Sequence, residues 1–149
     1  MKLRIHAAAG TIALLTIIIF WLSTAISELV ASHAVVTHVK TGVLYGMAVL
    51  IPAMATAGAS GAALGRTSKL PLVAAKSGRM KMIAANGLLV LLPSAVFLAL
   101  RAQAGMFDTL FYSVQVIELI AGAANIALLA RNLRDGLSLR RRRTRLANA

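Results

Sequence analysis

Residues 7–27 read AAAGTIALLTIIIFWLSTAIS and contain no charged side chain. As a helix, at about 1.5 Å per residue, a run of this length covers roughly 30 Å, the thickness of a bilayer's hydrocarbon core. With Lys2 and Arg4 before it and Glu28 behind it, the stretch predicts a membrane span over residues 5–29. Three further apolar stretches predict spans over 41–64, 82–100 and 109–130, the last broken by one acid, Glu118. Their continuous apolar character, without alternation, argues for helices and against a membrane β-barrel. The expected architecture is all-α: a polytopic four-transmembrane-helix bundle over 1–139, followed by a basic tail, 140–149.

Composition leads to the same place. Of the 149 residues, 59% are hydrophobic and 13% charged, where an ordinary soluble domain has about 25% charged. Such a chain in water would expose large apolar patches. Cysteine is absent, which removes disulfide scaffolds, Cys-bound metal and thiol nucleophiles. The first apolar run is longer than the 7–15 residues of a signal-peptide core, so an uncleaved anchor is expected.

The basic residues set an orientation. Lys2 and Arg4 precede the first span. Arg66, Lys69, Lys76, Arg79 and Lys81 lie between the second and third. Arg131, Arg134, Arg140, Arg141, Arg142, Arg143 and Arg145 follow the fourth. These are fourteen of the sixteen Lys and Arg; only Lys40 and Arg101 fall on the other side. Basic flanks stay in the cytoplasm, which places both termini on the cytoplasmic side of a bacterial inner membrane. The basic face is expected to meet anionic lipid, at about 1 kcal/mol per base, with no specific nucleic-acid partner. Phe107, Phe111 and Tyr112 are expected near the opposite water interface.

Small residues at four-residue spacing, Gly42 to Gly46 and Ala57 to Gly61 to Gly65, predict close helix contacts within one chain, in a homo-oligomer or with another membrane protein. Pro52 and Pro93 fall within spans two and three, where each removes a backbone donor.

The fourth span carries the chemistry. Gln115, Glu118, Gly122 and Asn125 recur at steps of three, four and three, which confines them to one helix face; Asn132 extends the stripe. Placing a charged acid near the membrane centre costs about 2.5–3.5 kcal/mol on insertion scales, so Glu118 is expected to face other helices. Asn86 on the third span and Tyr45 on the second, which shares a face with Thr41, Pro52 and Thr56, are the expected partners. With no intramembrane Lys or Arg counted, the expectation is a neutral Glu118 hydrogen-bonded to Asn, Gln or Tyr. Such a network suits an accessory or structural membrane subunit, or a small proton- or cation-coupled transporter using Glu118. No phosphate loop, GxSxG or HExxH is present, so no enzyme mechanism is indicated, nor any metal site.

His6 opens the first span, and His38 opens the second within His38-Val39-Lys40-Thr41-Gly42. This placement resembles the N-terminal half of the four-helix di-haem b-type cytochromes of bacterial inner membranes. The resemblance covers about 65 residues and implies haem b ligated by His6 and His38, with electron transfer to or from quinone. It stops there: residues 39–149 contain no histidine, and His6 and His38 belong to opposite membrane faces. Met80 or Met82 would have to supply a second ligand beside His6.

Overall fold

The computed structural model describes residues 2–65 and 71–147, with side chains described over 4–65 and 73–138. The described residues are helical and contain no strand: α1 Lys2–Val30, α2 His33–Gly65, α3 Pro71–Asn86, α4 Leu92–Gln103 and α5 Thr109–Ala147. A π-helical stretch, Gly87–Leu91, joins α3 and α4 into one rod. Four rods are long and apolar enough to cross a membrane: Arg4–Val30, His33–Gly65, Val73–Gln103 and Thr109–Ser138. The chain therefore has the build of a multi-pass membrane protein.

Successive rods run antiparallel. α1 packs on α2 and α5, and the α3–α4 rod packs on the same two neighbours, so α2 and α5 face each other across one diagonal of the bundle. Both described chain ends lie at one end, here the terminal end. At the other, the hairpin end, Ala31 and Ser32 join α1 to α2, and residues 104–108 join α4 to α5. Gly105 takes a positive φ of 69° there, a left-handed conformation that glycine adopts without strain. The Gly105 and Met106 N–H groups close the turn on the carbonyls of Ala102 and Arg101. Asp108 then caps α5, its Oδ1 accepting the Phe111 N–H at 3.0 Å.

The π-helical stretch follows from Pro93. Proline offers no N–H, and its ring collides with the carbonyl four residues back. Here the Leu92 N–H bonds the Gly87 carbonyl, five residues back, and the wider turn makes room for the ring. Of the small residues singled out on α2, Gly46, Ala57, Gly61 and Gly65 serve contacts within the chain, whereas Gly42 is exposed with nothing within 4 Å. Phe20 of α1 lies directly on Gly46, and a side-chain carbon added to Gly61 would stand 3.0 Å from the His6 ring; Ala57 is buried between them. One apolar cluster gathers Leu14, Ile17, Ile83 and Leu129. Another, nearer the hairpin end, gathers Val36, Leu98, Ala102 and Phe111.

Three boundaries differ from expectation. α2 begins at His33, not near Thr41, so its first two turns are helix and not connection. α3 begins at Pro71, which draws Lys76, Arg79 and Lys81 onto a helix, while Arg66 and Lys69 lie outside the described residues. α5 runs through the basic tail to Ala147. Phe111 lies at the hairpin end of α5 but points inward: it is fully buried, edge-on to Phe107 and Tyr112.

Candidate functional site: an ion pair and a lateral cleft inside the bundle

Helical periodicity turns the polar stripe of α5 inward. Gln115, Gly122, Asn125 and Asn132 are all buried, and Glu118 is 12% exposed. The unexpected partner is Lys40. It sits seven residues into α2, is 1% exposed, and its Nζ lies 2.7 Å from Glu118 Oε2. The Gln115 amide donates to the same oxygen at 3.3 Å. The expectation of a neutral acid without a basic partner is corrected here: the acid has a lysine of its own, reaching across the bundle diagonal. The sequence reading missed it because it ended the second span at the first charge.

Two features favour the pair over separate burial of each ion. A buried ion pair needs further hydrogen bonds to offset desolvation, and Gln115 supplies one. Lysine's long apolar stem also lets the ammonium travel while the backbone stays at the rim. From the hairpin ends of α2 and α5, Lys40 and Glu118 lie about 10 and 14 Å down their helices at 1.5 Å per residue. Glu28, on α1, stands within Coulomb reach of both.

The other expected members divide. Asn86 and Asn125 do meet: Asn86 Nδ2 donates to Asn125 Oδ1 and to the Ala121 carbonyl, each at 2.9 Å, while Asn125 Nδ2 approaches the Ile83 carbonyl at 3.4 Å. Tyr45 does not join them. It is 75% exposed, on the outward face of α2 with Pro52 and Thr56. α2 is apolar nearly all round, so its few polar side chains do not mark the buried face; Val36, Lys40, Val43 and Ala57 do.

Trp21, unassigned from sequence, ties α1 to α5. Its Nε1–H donates to the Leu119 carbonyl at 2.8 Å, and its ring fills the space left by Gly122, where an added side-chain carbon would stand 2.9 Å from Cδ1. Beside it runs a cleft of about 550 Å³, within the 300–1,000 Å³ range of ligand pockets. Trp21, Glu118, Gly122 and Asn125 form its back wall. Its mouth opens between α2 and the α3–α4 rod, where the lining residues Ile51, Ala62, Ala84 and Leu88 are exposed. In a bilayer this mouth faces lipid.

Each end of the bundle is tied separately. At the hairpin end Thr37 donates to the Ala102 carbonyl and Gln103 to Thr41 Oγ1, while Arg101 pairs with Asp108. At the terminal end Arg79 pairs with Asp135. His6 holds the Ala57 carbonyl and Ser60 hydroxyl through Nδ1, at 3.0 and 3.1 Å. His33 stacks on Phe107, ring centres 4.0 Å apart, and exposed His38 turns its Nδ1 to the Ala34 carbonyl. His6 and His38 thus stand at opposite ends. Met80 packs into the apolar cluster, and Met82 is exposed. Among the described residues no group of three His, Cys, Asp or Glu could hold a metal ion.

Neither known protein families, curated proteins nor solved structures provide a match to this chain. Its own geometry carries the functional reading.

Proposed function

We propose that the chain is an accessory or scaffold subunit of the bacterial inner membrane, with both termini in the cytoplasm. One observation carries the proposal: Glu118, the acid nearest the membrane centre, is already neutralised by Lys40. Transport coupled to a proton or cation needs an acid that its cargo can reach. Here the acid is engaged by a side chain that also holds two diagonal helices together. Ion pairs of this kind are best attested as devices that fix helix register. The orientation rests on the sequence positions of fourteen basic residues, before the first span, between the second and third, and after the fourth.

Three measurements test the reading. Purified protein in liposomes is expected to pass protons and monovalent cations no faster than empty liposomes, and mild detergent extraction is expected to recover a stoichiometric membrane partner. Alkaline phosphatase, active only in the periplasm, is expected to stay inactive when fused after residue 149. A cation flux abolished by Glu118→Gln, with folding intact, would refute the scaffold reading in favour of the coupled transporter. That alternative draws on one fact: Glu118 also lines the cleft.

A further inference from the structure

The geometry points to the lateral cleft as a binding site for one anionic phospholipid, its headgroup at Lys81 and one acyl chain along the back wall towards Glu118. This rests on the membrane setting and deepens the scaffold reading, since a scaffold with an interior groove has a place for structural lipid.

The cleft has a polarity that suits an amphiphile. Ser77 and Lys81, one helical turn apart on α3, line its terminal end and are exposed. Arg79, between them, is occupied by Asp135, whereas Lys81 has no carboxylate within ion-pair distance among the described residues. From there inward the walls are apolar: Met54, Leu50 and Met47 from α2, Leu88 and Leu91 from the π-helical stretch. Glu118 at the far end has its charge matched by Lys40, so the inner end repels no hydrocarbon with an unpaired ion.

Depth agrees with this polarity. The rod Val73–Gln103 has 31 residues, longer than the roughly 20 that a 30 Å hydrocarbon core takes up. Counted back from Gln103, about twenty residues end near Ala84, so Lys81 lies just under one helical turn outside the core's edge. Its ammonium therefore stands at the level of lipid phosphates while the cleft lies at the level of the chains. A membrane phospholipid is the occupant whose charge and whose apolar length both fit; a neutral quinone would leave Lys81 unused.

Trp21 makes the test direct, because it is the protein's single tryptophan and lines the cleft. The full chain is reconstituted in phosphatidylcholine vesicles containing increasing fractions of brominated phosphatidylglycerol or, separately, brominated phosphatidylcholine; bromine quenches tryptophan on contact. Phosphatidylglycerol is expected to reach half-quenching at about five-fold lower mole fraction, the factor that one surface base supplies. Lys81→Gln is expected to erase that preference. Gly58→Leu, which fills the cleft from a position with nothing within 4 Å, is expected to weaken quenching by both lipids. Equal quenching by the two lipids in wild type would overturn the proposal, as would a preference that survives Lys81→Gln. Protection from both lipids, with cross-linking between copies at the mouth, would assign the cleft to a second chain instead. None of these results bears on cation flux, so failure here and failure of the scaffold reading are separable.

Discussion

Removing Lys40 is the sharpest perturbation the structure offers. Lys40→Met keeps the stem and deletes the ammonium that Glu118 meets at 2.7 Å. Deleting one partner of a buried pair costs about 3–5 kcal/mol, chiefly because a buried charge is left alone. The loss should show directly as a lowered unfolding temperature at neutral pH.

Glu118→Gln leaves the opposite orphan, a buried ammonium. Both single variants should thus unfold at lower temperature than the wild type, and the double variant Lys40→Met/Glu118→Gln should recover most of the stability. Thermal unfolding in detergent micelles at pH 7 measures all three. If Lys40→Met and the double variant are equally stable, the pair contributes nothing and the reasoning fails.

Other expectations follow from particular contacts. Gly122→Ala should overpack the Trp21 ring, costing about 1–3 kcal/mol and shifting the tryptophan emission; Gly58→Ala, facing open space, should do neither. Asn125→Leu should remove the Asn86 bond for a loss of about 0.6–1.7 kcal/mol, measurable in the same unfolding assay. The Phe111 N–H, and after it Arg101, hold the exposed Asp108 carboxyl below the ordinary carboxylate range. A depressed acid stabilises the fold above its unfolded pKa, near 3.9, and that contribution fades as pH falls through the folded value. Asp108→Asn should accordingly lower the melting temperature slightly at pH 7, with the gap to wild type closing below about pH 4.

The inward stripe of α5 was legible because Gln115, Glu118, Gly122 and Asn125 obey the helical period on a span with few other polar groups. Lys40 was not. A charge normally marks the end of a span, and its partner lies 78 residues away, so local sequence carries no sign that it is paired. Tyr45 was misplaced because its helix has no polar face to orient it. Trp21 had a signal that went unread: a bulky indole on one span and a glycine in the polar stripe of another. The lateral cleft depends on how far α2 and α3 diverge, a tertiary quantity that no window of sequence contains.

The wide turn at Gly87–Leu91 also acts as a phase shifter for the rod it interrupts. One surplus residue offsets the two halves by about 100°, so Ser94, Leu98 and Ala102 seal the bundle on one side of it while Ser77 and Lys81 line the groove on the other. Excising a single residue there would leave composition and apolar length almost unchanged. It would nonetheless swing the lysine out of line with the groove, so the molecule's two ends are geared together through five residues.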